Sequence, residues 1–182
     1  MKLPNKKYNI IYADPPWAYR QSGSKTNSRG MAKQHYSTME TTEISKLNIQ
    51  DISNDETILF MWATAPLMPE AIHTIKCWGF DYKTIAFTWI KKNKKATDTN
   101  FWGMGSWTRS NPEFCLIATR GKPKCVSHSI HSVIETPIQE HSKKPDIVRD
   151  KIVELCGDKK RTELFARMKV DGWESMGDQL LN

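Results

Sequence analysis

Residues 14–17 read Asp-Pro-Pro-Trp and close the apolar, β-prone run Tyr8–Ala13. A residue before proline is pushed into the extended region, so Asp14 and Pro15 are both held in narrow conformations. Neither proline has an N–H. The Asp14 carboxylate and the carbonyls of Pro15 and Pro16 therefore form a row of acceptors beside the Trp17 indole. Such a row suits a planar group carrying an amino substituent, and the exocyclic amine of adenine is one. That amine is a poor nucleophile because its lone pair is delocalised into the ring. Hydrogen bonds accepted from its two protons, by Asp14 and the Pro15 carbonyl, favour a more pyramidal nitrogen with an available pair. Trp17 would stack on or border the base. A methyl sulfonium held in line would be attacked directly, by positioning and charge complementarity and with no metal. The same four residues also read as a strand ending in a turn, although average usage gives this tetrapeptide by chance only about once in a few thousand chains.

The elements that must position this motif alternate. Thr57–Trp62 is a second strand, and continuous apolar runs of that length suit strands covered on both faces. Thr41–Leu47 reads as a short helix capped by Thr41 or Thr42, with Glu43 in its first turn. A clearer helix runs from Pro66 to Trp78, with Leu67, Ala71, Ile75 and Trp78 on one stripe and Gly79 at its stop. Strands are expected at Tyr82–Ile90 and Phe114–Thr119. Between them, residues 91–112 carry lysines, aromatics and glycines without a period, as a functional or mobile loop does. Residues 121–141 look irregular. A helix begins at Pro145, presents Val148, Ile152 and Leu155 on one face and ends at Gly157; 161–167 is a last strand before a glycine-containing tail. The order β-α-β-α-β-β-α-β predicts one three-layer α/β domain over residues 1–182. Its ligands would gather at the carboxyl ends of the strands, where Asp14 stands.

Composition agrees with this class. The chain has 182 residues, 38% hydrophobic and 26% charged, with a net charge of +7 that favours a polyanionic partner. No apolar run reaches the roughly 18 residues a membrane span needs, and the start shows no secretory signal. The cysteines at 77, 115, 125 and 156 form no C-x-x-C pair, so reduced thiols and a cytoplasmic location are expected.

Several separated motifs occur in order: "ADPPW", "HYSTM" at 35–39, "LFMWAT" at 59–64, "NPEFCLIATRG" at 111–121, "HSKKPD" at 141–146, "ELFAR" at 163–167 and "GWESMGDQL" at 172–180. Together the chain resembles the MT-A70 family of adenine 6-amino methyltransferases over nearly its whole length, with the features of a compact bacterial or phage member. The resemblance implies a Rossmann-like methyltransferase fold in permuted motif order, with S-adenosyl-L-methionine as methyl donor. Asp14, Pro15, Pro16 and Trp17 match the catalytic motif. Tyr36 matches a tyrosine near the target base and Trp62 an aromatic beside the site. Lys144 matches a lysine near the methionine end of the cofactor, with Ser142 close by and Asp14 also in reach. Leu164, Phe165 and Arg167 match cofactor-contacting positions, and Gln179 one near the ribose. The sequence departs where Lys169 and Val170 replace a His-Asn pair, and where Asp178 replaces an asparagine.

The run "KKNKK" at 91–95 reads either as a solvated loop or as phosphate-neutralising charge. Its continuation "NFWGMGSWTR" favours the second, with Lys91 near phosphate, Trp102 or Trp107 stacked on a base, and Arg109 and Asn111 sharing the loop. The resemblance implies that this loop lies over the active site, where it would act as a lid. Cys125, His128 and His131 offer three ligands where a structural zinc site wants four, so no metal is expected. His73 should be exposed, and Trp78 and Trp89 should be core residues. Three readings stay open: a methyltransferase acting on nucleic acid, a non-catalytic nucleic-acid-binding subunit of the same fold, and methylation of a small molecule. The intact Asp14 and Trp17 favour the first, and the compact length favours DNA over RNA. A homodimer or heterodimer would give a domain this small more surface with which to grip a duplex.

Overall fold

The computed structural model describes residues 3–18, 38–105, 107–140, 143–178 and 180. Among them, seven strands form one sheet: β1 (Tyr8–Ala13), β2 (Ser53–Ala63), β3 (Asp81–Lys92), β4 (Glu113–Arg120), β5 (Val133–Pro137), β6 (Arg161–Leu164) and β7 (Glu174–Met176). Three helices accompany them: α1 (Thr41–Ser45), α2 (Met68–Cys77) and α3 (Ile147–Cys156). The spatial order is β5-β3-β4-β2-β1-β6-β7. β1 pairs in parallel with β2 and β6, β6 with β7, and β3 with β5, whereas β4 lies antiparallel between β2 and β3. The single reversal follows from connectivity: no crossover helix separates β3 from β4, so the chain returns alongside itself.

Side-chain alternation along the central strands builds two cores. Ile11, Ala13, Leu59, Met61 and Ala63 face one way and pack with Ile44, Ala71, Ile75 and Trp78 from the α1 and α2 side. Ile10, Tyr12, Ile58, Phe60 and Trp62 face the other way and pack with Val148, Ile152 and Cys156 of α3. These are the three expected layers. Each large side chain fully buried in them contributes roughly 1.5–3 kcal/mol. Leu67, Ala71, Ile75 and Trp78 are all buried, as the stripe predicted, and so is Trp89.

Local boundaries differ from the sequence reading for identifiable reasons. Glu40, not Thr41 or Thr42, caps α1, and its N–H is accepted by Glu43 in a capping box. A 3₁₀ turn at Ala65–Leu67 precedes α2. β6 stops at Leu164 because Phe165 turns to a φ of +60°, which no strand accommodates. Strand β5 lies inside the stretch expected to be irregular, and β7 inside the tail. Lys91 and Lys92 belong to β3 instead of the following loop. No described helix is long and apolar enough to cross a membrane.

Candidate active site

Because β4 runs against its neighbours, its first residue lies on the same sheet edge where β1, β2, β3, β6 and β7 end. Ala13 is in register with Met61 and Leu164, Ala63 with Phe114, Trp89 with Glu113, and Leu164 with Met176. Asp14, Lys91, Glu113 and Phe165 thus arise from four strand termini on one edge, and Lys144 reaches it from the segment before α3.

A chain of alternating charge forms there. Lys144 Nζ lies 2.9 Å from Asp14 Oδ1 and 3.0 Å from Oδ2. The same ammonium is 3.3 Å from Glu113 Oε2, and Lys91 Nζ is 2.5 Å from Glu113 Oε1. Lys144 also sits 5.7 Å above the Trp62 ring and Lys91 5.5 Å from Trp89, so indole faces supply cation–π support beneath both ammoniums. Burial pushes the Asp14 carboxyl above its usual range, with Lys144 opposing. Burial alone would lower the pKa of Lys144, but Asp14 and Glu113 raise it, so the amine stays charged. Glu113 would likewise rise on burial, yet Lys144 and Lys91 bring it below the usual carboxylate range. Sequence reasoning missed Glu113. Its one signal is an acid opening an otherwise apolar strand.

The motif backbone is pinned from two sides. The Trp17 N–H donates to the Pro15 carbonyl at 2.8 Å, closing a tight turn. The Met39 N–H donates to the Pro16 carbonyl at 2.8 Å. The two proline carbonyls are therefore each partly engaged, and each keeps one lone pair. Trp17 is 6% exposed and its indole N–H donates to the Trp62 carbonyl at 3.0 Å. It is a wedge behind the motif instead of an open stacking platform. Trp62 is buried as well and donates to the Tyr12 hydroxyl at 2.7 Å.

Other expected residues take distinct places. Leu164 is buried in the core, so only its backbone faces the edge. Phe165 and Arg167 are half-buried, and Arg167 acts electrostatically on Asp14. Gly177 packs so closely on Ala166 that a Cβ there would clash with the Ala166 carbonyl oxygen, which draws the exposed Asp178 toward the turn after β6. Asn111 braces the loop: its amide donates to the carbonyls of Lys91 and Phe101 and accepts the Lys91 N–H. Both of its donors are thereby occupied. Trp107 stands 99% exposed and Trp102 57% exposed at the loop's tip, with exposed Arg109 beside them. Tyr36, Ser142 and Gln179 lie outside the described residues. No group of three or more His, Cys, Asp or Glu converges as a metal site among the described residues, and the four cysteines are free.

The MT-A70 family model matches residues 8–179. The chain is 34% identical over 193 residues to the type II methyltransferase M.MunI of Mycoplasma sp, covering 97% of this chain and 79% of that protein. It is 28% identical over 176 residues to an N(6)-adenosine-methyltransferase MT-A70-like protein of Arabidopsis thaliana, and 26% identical over 177 residues to the N(6)-adenosine-methyltransferase catalytic subunit METTL3 of Homo sapiens. Those matches cover 95% and 96% of this chain but only 24% and 28% of the relatives, so the chain spans about a quarter of their length. With the acceptor motif, the charged edge and the three-layer sheet, these matches have one meaning: the chain belongs to the MT-A70 family of S-adenosylmethionine-dependent adenine-N(6) methyltransferases.

Proposed function

We propose that the protein methylates the exocyclic 6-amino group of adenine in nucleic acid, DNA in preference to RNA, with Asp14 as the group that engages the amine. The observation that carries this reading is a half-buried carboxylate fixed by Lys144 at the strand-end edge, next to a proline carbonyl with one lone pair still open.

The side chains at the edge suit S-adenosylmethionine in their chemistry. Lys144 and Arg167 are cations for a carboxylate, Asp14 and Asp178 are acceptors for an ammonium or ribose hydroxyls, and Phe165 offers an aromatic ring. When bound, this cofactor supplies a methyl group on a positively charged sulfur. Asp14 accepts one amino proton and the Pro15 carbonyl the other, which orients the amine and localises its lone pair. With the methyl group supplied to that nitrogen, Asp14 would take the surplus amino proton and pass it to solvent. Lys144 holds Asp14 in one orientation throughout, so little reorganisation accompanies the reaction.

The preference for DNA is supported by the higher identity to the type II methyltransferase, 34% against 28% and 26% for the two adenosine methyltransferases. The charge of +7 and the loop carrying the exposed Trp107 and Arg109 support a nucleic-acid partner, gripped by a homodimer or heterodimer, whereas Lys91 lies on β3 and is paired with Glu113. Four free cysteines support a cytoplasmic setting. The test supplies labelled S-adenosylmethionine with sequence-matched DNA and RNA oligonucleotides, then digests them to nucleosides. The expected result is label in 6-methyl-deoxyadenosine. Label only in the RNA would reverse the polymer preference, and label in a nucleoside other than adenine would overturn the reading.

A further inference from the structure

β1 places its two ends roughly 20 Å apart, Asp14 at one and Tyr8 at the other. At the Tyr8 end, where β1, β6 and β7 begin, the surface carries an open cavity of about 560 Å³. Five cations, Lys6, Lys7, Lys159, Lys160 and Arg161, line it against two acids, Asp158 and Glu174. Lys6 pairs with Glu174 at 3.1 Å, and Arg161 Nη1 with Asp158 Oδ1 at 2.5 Å. Lys7 and Lys159 donate to neutral carbonyls, of Ser53 at 3.3 Å and Lys124 at 3.5 Å, and Lys160 is exposed. The two acids thus balance two of the five cations, and the cavity keeps a surplus of three positive charges.

Arg161 is seated, not draped over the surface. Its guanidinium lies 5.6 Å from the Trp173 ring, and Nη1 also donates to the Lys159 carbonyl at 3.1 Å. Gly172, at a φ of +76°, makes room for it: a Cβ there would stand 2.6 Å from Nη2. The ammoniums of Lys7, Lys159 and Lys160, around a guanidinium already held by Asp158, suit multiply charged oxyanions, phosphate above all. The cavity volume falls within the range of small-ligand sites. Tyr8 and Trp173 are both buried, so the walls expose no aromatic face for a base and recognition rests on charge.

We propose that this cavity is a second, non-catalytic phosphate-binding site, filled by phosphodiesters of a bound nucleic acid or by a free polyphosphate. It does not depend on the adenine reading, because its probes need no methyl transfer. The variant is Lys159→Gln with Lys160→Gln, two side chains on the outer wall, with the melting temperature as a folding control. Calorimetry with inorganic tripolyphosphate should show one saturable site in the wild type and about tenfold weaker binding in the variant. A duplex of about 30 base pairs, titrated at several salt concentrations, reads the other source, because each lost phosphate contact lowers the salt slope by about 0.9. A slope lower by nearly two assigns the site to the nucleic-acid backbone. Weakened tripolyphosphate binding with an unchanged slope assigns it to a free polyphosphate. Equal tripolyphosphate affinity, or none, in both proteins, together with equal slopes, would overturn the proposal.

Discussion

A half-buried carboxylate proposed to accept an amino proton is sensitive to every charge around it, and Asp14 has one dominant neighbour. Its pKa is raised by burial and lowered by Lys144, with burial prevailing. The acid limb of kcat/KM should therefore fall above pH 4, the ordinary range of an aspartate, as protonation removes the accepting form. Lys144 contributes no limb near neutrality, since its own pKa is raised. In Lys144→Met the opposing charge is gone, so the acid limb should move to higher pH; a pH profile showing it unmoved or lower would refute the pairing. The motif around Asp14 was legible in the sequence because its four residues are contiguous and their backbone constraints are intrinsic. Glu113 was not, because its meaning depends on Lys144 and Lys91, which reach it from other elements. Trp17 was expected to stack on or border the base; its ring is buried with the indole N–H on the Trp62 carbonyl, which fits a bordering place better than a stacked one.

At the scale of elements, α3 must hold the segment that carries Lys144 against the sheet. Arg149 does this from its first turn: Nε and Nη2 donate to Glu163 of β6 at 2.7 and 2.8 Å, and Nη1 to Asp146 at 2.9 Å. Arg149→Leu would leave the Glu163 carboxylate buried without its partner, at a cost of about 3–5 kcal/mol. Thermal melting should show a drop of about 6–20 °C, largely restored when Glu163→Leu is added. A melting temperature unchanged by Arg149→Leu would contradict the clamp. Gly177→Ala places a methyl group on the Ala166 backbone, so the turn after β6 must shift. Calorimetric titration should show weakened S-adenosylmethionine binding with the fold retained. The long strands and α2 and α3 were readable from apolar period and from their terminal glycines. β5 and β7 were not, being short edge strands with little apolar pattern. The reversal of β4 was also hidden, because strand direction is set by pairing and not by composition.

The whole molecule presents its chemistry on one sheet edge and its aromatic loop beside it. Hydrogen bonds from Asn111 and the Asn93–Thr99 contact anchor the loop base, while Trp107 at the tip packs against nothing that shields it. Trp107→Ala should leave the melting temperature unchanged and weaken nucleic-acid binding, measured by fluorescence anisotropy, by about 1–3 kcal/mol. Unaltered affinity would remove the tip from the interface. The most direct test of the central claim is the single-turnover rate of methyl transfer to an adenine-containing DNA duplex at saturating S-adenosylmethionine, wild type against Asp14→Asn. The amide keeps the shape but loses the charge. The account predicts a loss of about a thousandfold or more in a protein that melts within a few degrees of the wild type. An Asp14→Asn rate within about tenfold of wild type, well short of that loss, would show that another group engages the amine.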